Sequence, residues 1–596
     1  MKKIYSILAA ALLTTACSGD DDAVVDNITL RQDSETIQFT ATLAPKDGAT
    51  TRAITTGTED GKEILNVAWA AGEEVAVYYQ KSDDTYATAT ATVGEPNADG
   101  SASITASLDS PKNGGTVKFV YPATLHNGTG DIDESKLLND QRGFLTYSGW
   151  GPDRYSISKF FDAATGSGTL SVSTGKAVTT NRISLTNRCC ICKFNLGLVN
   201  PPQEVGEFVI TIAFEGSHSY VINTEPNLLL LRNLYVAMLP ETSARCAITA
   251  IGYFDYEAGR MSSFHEALIN SVTLDAGKFY RNVPVTLVGG EVERNLDLSE
   301  GSIIAQNGDH IFQSDGNGST GNNITIEDGA TVFIENVRIW TSLTNYSAGI
   351  ICNGTATIKL LGTNTVWGRP GIQAGPAGTT LTISGNGSLT AIGKAGCAGI
   401  GGGDNMAAGN IRIEGGSIMA YGGFSSAAIG SGMASNGNAS CGDITITGGT
   451  VEATGGEYAA GIGSGAYFSG HSSCGDITIT GGTVTATGGY ESGAGISTGY
   501  YGTCANITIS GGTVEATGSN NGAGIGSGES GYCGNIDITN TVTSVTATRG
   551  TGAQFSIGSG RDGSCGIITI GDDLFPLEDF YYRNFTYQPP GLPVLQ

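Results

Sequence analysis

Few residues in the last half of this 596-residue chain are equipped for catalysis. Between Arg412 and Arg549 there is no Lys or Arg, and His471 is the only His. Cleaving a polysaccharide takes two carboxylates at a set separation. Eliminating a uronate takes carboxylates around a divalent cation, beside a basic group that stabilises charge. Asp443 and Asp476 recur at one phrase position, followed by Asn506 and Asn535. Stacked, they form either a Ca²⁺ site or a hydrogen-bonded Asp/Asn ladder at a corner, and the ladder is the reading we adopt. The chain is therefore expected to have no catalytic residues, no cofactor and no metal, and not to be an enzyme.

Two other side-chain types recur. Cys441, Cys474, Cys504, Cys533 and Cys565 each open a copy of one phrase, as in "CGDITITGGTVEATGG". Neighbouring parallel strands hold equivalent Cα atoms about 4.8 Å apart, within disulfide range. Parallel side chains keep their Cβ atoms near that same spacing, longer than a disulfide prefers. Both a buried thiol stack and some disulfides remain open. A linear ladder lacks the tetrahedral geometry of zinc. "CCIC" (Cys189, Cys190, Cys192) sits in an apolar run and reads as strand core. The second type is aromatic. Tyr467, Phe468, Tyr500, Tyr501 and Tyr532 fall in the polar connectors after successive "GIGSG"-type phrases. Such rings either stack on sugars or a partner's apolar patches, or pack over each other as a cap on the loops.

The elements that must carry these residues follow from the repeat. Copies begin every 29 to 33 residues from Cys441, with looser copies upstream from Asn322. Each holds three short strand-like pieces separated by glycine corners, where positive φ is cheap. Apolar positions align in columns: Ile444/Ile477/Ile507/Ile536, Ile446/Ile479/Ile509/Ile538, Val451/Val484/Val514, and Ile429/Ile462/Ile496/Ile525/Ile557. A repeat this short buries its apolar face only by stacking on its neighbours. Residues 289–573 are thus expected to form a single-stranded parallel β-helix of roughly nine rungs, with 574–596 as a tail. Alternating runs such as "TIQFTATL" and "EFVITIAF" predict strands in residues 28–185 and 186–288. That reading makes the chain all-β, two tandem β-sandwiches before the helix. A net charge of −25 argues against nucleic acid and anionic lipid surfaces as partners.

"MKKIYSILAAALLTTAC" (residues 1–16 plus Cys17) has a positive start, a short apolar run and small residues. Its end resembles a bacterial lipobox, which implies cleavage before Cys17 and lipid attachment to it. The acidic tether, 17–27, resembles the surface-export signal of Bacteroidota lipoproteins. The order "IQFTATL", "TTRAITTG", "VAWAAGEEVAVY", "FVYPATL", "VTLDAGKFYRNVPVTLV" resembles the fimbrillin superfamily of Bacteroidota. That resemblance implies proteolytic processing after Arg52 and assembly with other pilins by β-strand addition. A pilin that polymerises usually ends near its second sandwich. Here a long β-helix follows, which favours a pilus tip or a solitary place on the cell surface. The repeat half resembles β-helix modules described as carbohydrate-binding. Together the resemblances imply a surface adhesin anchored in the outer membrane by lipid, facing outward, tip or accessory to a pilus. Its β-helix would bind glycan or a host or bacterial surface protein. A non-catalytic spacer and a glycan-cleaving enzyme are the alternatives.

Overall fold

The computed structural model describes residues 36–44, 55–59, 62–66, 69–139, 141, 163–202, 207–214, 217–224, 231, 233–255, 259–276, 278–315, 318–341, 347–571, 573–575, 584–589 and 594–595. Cys17 and Arg52 lie outside them. The regular elements of the described residues are almost all strands, and none of their helices is long and apolar enough to cross a membrane.

The first sheet grows from strict alternation. In Thr36–Leu43 the side chains of Ile37, Phe39, Ala41 and Leu43 point inward and are buried, as a period of two dictates. This strand pairs antiparallel with Ala102–Asp109 and parallel with Lys176–Thr179. Lys176–Thr179 in turn pairs with Ala164–Ser173, so the sheet curls until its ends meet. The core holds Phe39, Val77, Leu108 and Phe119.

The second unit is a sandwich. Leu234–Met238, Cys190–Leu198 and the start of Phe279–Glu291 make one layer. Ser219–Thr224, Glu207–Phe214, Glu241–Asp255 and Arg260–Leu274 make the other. The end of Phe279–Glu291 crosses to the second layer, pairing with Ser263–Glu266. Cys190 and Cys192 face the core beside Phe194 and Cys246, and Cys189 is buried between the two units. "CCIC" is strand core, as expected.

Residues 294–570 wind as a parallel β-helix. A narrow sheet stacks ten strands, from Ile303–Ala305 to Ile557–Gly558, and ten strands make nine steps. The broad sheet takes two strands from most turns, meeting at glycine corners such as Gly416 and Gly449, with φ of 88° and 85°. All four apolar columns are in register and fully buried, for example Ile446–Ile479–Ile509–Ile538. From Asn438 a third, five-stranded sheet brings the cysteines into line: Cys441 pairs with Cys474, then Cys504, Cys533 and Cys565.

Two polar ladders lock the rungs. Asn410 Oδ1 accepts the amide of Asp443, Asp443 that of Asp476, and Asp476 that of Asn506. Asn506 and Asn535 continue it at 3.0 and 2.9 Å. This is the Asp/Asn corner ladder anticipated above. The second ladder is internal. The hydroxyls of Ser431, Ser464, Thr498 and Ser527, the third position of the "IGSG" phrase, each accept an amide from the next turn. A buried N–H left without a partner costs about 1–3 kcal/mol, so each of these small polar residues stabilises its turn.

The tail is a lid on the last turn. Asp573–Phe575 runs antiparallel to Ile568–Ile570, and Phe585–Tyr587 runs antiparallel to Ser544–Thr548. Phe585 and Tyr587 join the helix core. An uncovered solenoid end is an open sheet edge that invites pairing with other chains. The antiparallel tail closes it.

The β-helix is docked on the second sandwich. Phe264, Tyr253 and Met261 pack against Phe333 and Leu361. Glu266 binds Lys359, and Tyr253 donates to Glu335 at 3.0 Å. Arg245 reaches the Thr447 carbonyl far along the helix. A cleft of about 540 Å³ remains between the units, lined by Phe214, Arg245, Leu268 and the corner glycines Gly416 and Gly449.

Candidate ligand-binding surface

The connectors after the narrow sheet stack turn on turn because their backbones repeat. Tyr467 N donates to Tyr500 O at 3.0 Å, and Tyr501 N to Glu529 O at 3.0 Å. Tyr501, Ser530 and Asp562 take φ of 52°, 55° and 56° at equivalent places. A left-handed conformation suits a small polar residue and is rare for a ring as bulky as tyrosine. Tyr501 is held there with its side chain 46% exposed.

The rings touch one another. Tyr500 lies edge-to-face on Tyr501, centroids 4.5 Å apart, and Tyr501 edge-to-face on Tyr467 at 5.9 Å. Phe468 leans on Tyr500 at 6.3 Å and edge-on to Tyr458 at 5.6 Å. Tyr458 meets Phe424 at 5.8 Å, and His471 stacks on Tyr467 at 6.0 Å. Edge-to-face contact is the favoured arrangement of aromatic quadrupoles. The rings therefore brace each other, yet Phe424 (47%) and Phe468 (48%) remain open to solvent. Four of the five rings singled out in the sequence come together. Tyr532 is exposed on its own strand, Tyr532–Cys533, beside Thr503.

Phe424 and Tyr458 were missed in the sequence. They follow the glycine pairs in "GGFSSAA" and "GGEYAA", as Tyr490 does in "GGYESGA". That recurrence is a legible signal once the second family of corners is aligned. The electrostatics are acidic: Glu457 first, then burial and Glu491, hold the Tyr458 hydroxyl above its usual range. Burial, then Tyr501, does the same to Tyr500. Among the described residues no group of three His, Cys, Asp or Glu side chains gathers to hold a metal.

In the cysteine ladder Cys474 and Cys504 form a disulfide, with Cα atoms 4.7 Å apart. Cys441, Cys533 and Cys565 are free thiols. Burial pushes Cys441 up to about 12. A hydrogen bond from the Cys533 thiol holds Cys565 below its ordinary value. The thiolate is the nucleophile, and Cys533, fully buried and hydrogen-bonded to Cys565, is pushed up as well, so at pH 8 iodoacetamide should alkylate Cys565 before Cys441 and Cys533 in the folded protein. Peptide mapping by mass spectrometry reads the order. Equal rates would contradict this assignment of environments.

One family model matches the β-helical half of the chain. Residues 381–404, 411–433, 444–466, 477–500 and 507–529 match the model of the beta helix repeat. The matched repeats all lie within the β-helix described above, which two β-sheet units precede. Three solved structures to which it is similar are as follows. A candidate cell adhesion protein from Bacteroides fragilis is 10% identical, over 43% of this chain and 97% of that one, with a TM-score of 0.22. A fimbrial assembly protein from Parabacteroides distasonis is 9% identical, over 42% and 90%, with a TM-score of 0.22. A fimbrial protein from Bacteroides ovatus is 11% identical, over 44% and 51%, with a TM-score of 0.20. No curated protein matches the sequence.

Proposed function

We propose that this protein is a cell-surface adhesin of the fimbrial type, whose sandwich half attaches or assembles and whose β-helix contacts the ligand. The observation that carries this reading is the braced, exposed aromatic cluster of Phe424, Tyr458, Tyr467, Phe468, Tyr500 and Tyr501. Rings already fixed by their neighbours lose little freedom on binding, which favours them as anchors. A spacer needs no such surface. The test is adhesion of cells carrying the full chain to a glycan array, against the triple variant Phe468→Ala, Tyr500→Ala, Tyr501→Ala. Anchors of this kind contribute about 2 kcal/mol or more, roughly thirty-fold in Kd. Unchanged binding by the triple variant would remove the cluster from the account. Glu457 and Glu491 occupy adjacent turns beside Tyr458, with Glu491 N donating to Glu457 O at 2.8 Å. The same samples are therefore assayed for new reducing ends, and their release would favour the enzyme alternative.

The attachment half follows the fimbrillin resemblance. Lipid on Cys17 would tether the precursor to the outer membrane, facing outward. Thr36–Leu43 precedes Arg52 and lies between two strands of the first sheet. Cutting after Arg52 would release it, baring two strand edges and the sites of Ile37, Phe39, Ala41 and Leu43. A pilin strand with the same alternation fits that groove. The chain's own last described strand, Val594–Leu595, is already paired with Phe585–Thr586 in the lid. The long β-helix after the second unit favours a terminal position over a place in a growing stalk. Mature protein from cells should begin at Ala53, and Arg52→Ala should begin at Cys17 and stay unassembled. Mature chains that always begin at Cys17 would sink the assembly reading.

A further inference from the structure

One outward column of the broad sheet changes character along the helix. From Thr454 onward it is Thr487, Thr517 and Thr548, in register. On the four preceding turns the same column holds Trp340, Trp367, Ile392 and Tyr421. Trp340 is 47% and Tyr421 40% exposed. Threonine satisfies the fold at this position, so packing does not demand the rings. Trp367 and Ile392 between them are half-buried, and a partly exposed apolar strip of this kind marks a contact site.

The surroundings narrow the ligand. Residues two apart share a face, so Thr365 and Thr390 flank Trp367 and Ile392 as a row of hydroxyls, paired in register. Three cations lie near the strip: Arg338, exposed and in register with Thr365, Arg369, which donates to the Ala395 carbonyl at 2.9 Å, and Lys394. Lys394 is buried, donates to the Thr341 carbonyl, and lies 5.4 Å from the Trp367 centroid. Its charge is turned to the ring and not to solvent. At the other end Tyr421 is separated from Phe424, the first ring of the corner cluster, by Gly422 and Gly423 alone. Beyond lie Glu457 and Glu491. An aromatic strip edged by hydroxyls, with Arg338 at one end and Glu457 and Glu491 beyond the other, carries no single sign of charge along its length and suits an uncharged sugar chain better than a polyanion or a polycation.

We infer that Trp340, Trp367 and Tyr421 form a binding strip that, with the corner cluster, seats a linear uncharged polysaccharide along the β-helix. This rests on the reading of the cluster as a ligand surface and names the ligand class. The sequence has four tryptophans, of which Trp69 is buried in the first core and two are in the strip. Trp150 is the fourth, so the part of the emission change that disappears in Trp340→Thr with Trp367→Thr reports the strip, whereas the corner has no tryptophan.

The full chain is titrated with soluble mixed-linkage β-glucan, xylan and galactomannan, and with polygalacturonate as the anionic control. At least one neutral polymer should shift the emission and bind. Trp340→Thr with Trp367→Thr, the residue later turns carry, should melt like the wild type and bind that polymer at least tenfold more weakly. Polygalacturonate should not bind. No neutral polymer bound by the wild type, undiminished binding by the double variant, or equal binding of polygalacturonate each overturns the strip. If Phe468→Ala, Tyr500→Ala, Tyr501→Ala loses adhesion while the double variant keeps full polymer binding, the strip falls and the corner reading stands. If the triple variant adheres normally while the double variant loses the polymer, the corner reading falls and the strip stands alone.

Discussion

Ile479→Asp should lower the melting temperature of the β-helix by about 10 °C, and Thr478→Asp should leave it nearly unchanged. The two sites are adjacent in one strand, Ile477–Thr487, and receive the same carboxylate. Ile479 is fully buried, with Ile446 on one side and Ile509 on the other. An unpaired carboxylate there has no donor to meet it, and the cost is about 4 kcal/mol or more. Thr478 points away from the core, in the column Thr445–Thr478–Thr508–Asp537. That column already carries an aspartate two turns on. Each turn touches only its neighbours, so a broken rung should also split the unfolding curve into two. Calorimetry of the full chain reads both effects. Equal losses from the two substitutions would mean that side-chain direction does not separate the sites, against the register described here.

Phe585→Ala should cost about 3–5 kcal/mol at the far end of the helix, and removing residues 572–596 should make the protein associate. Phe585 is fully buried in the helix core although it lies in the tail. Without the tail, the strands Ser544–Thr548 and Ile568–Ile570 lose their antiparallel partners. Their unpaired amides and carbonyls then face solvent, beside an exposed Ile/Val core. Light scattering after size exclusion should show oligomers that grow with concentration for the truncated chain and a single species for the whole one. A monomeric truncated protein with unchanged melting would show that the lid is dispensable.

Much of the repeat half was legible in the amino-acid order because its information is local. Each turn stacks on a copy of itself some thirty residues away, so whatever one turn needs reappears at a fixed interval. The Ile and Val columns, the aligned cysteines, the Asp/Asn ladder and the connector rings all announce themselves by recurrence. The "CCIC" segment was legible for a different reason: three small thiols amid Ile and Phe, with no second Cys pair or nearby His, favour core over a metal site. Recurrence also limited the reading. Phe424 and Tyr458 sit at a corner whose periodicity was not followed, and Trp340 and Trp367 lie in the looser copies.

Tertiary structure decided what no period encodes. The closing of the first sheet depends on Gln38, Phe39 and Thr40 meeting Lys176, Ala177 and Val178 across a long stretch of chain. The docking of the second sandwich depends on single, unrepeated residues: Phe264 on Phe333, Glu266 on Lys359, Arg245 on the Thr447 carbonyl. Among five equivalent cysteines, which pair is bonded is a matter of three-dimensional placement. The tail became a lid because the last turn offers an open edge and Phe585 a ring to bury. These contacts join residues with nothing in common but their position in space, and only the folded chain brings them together.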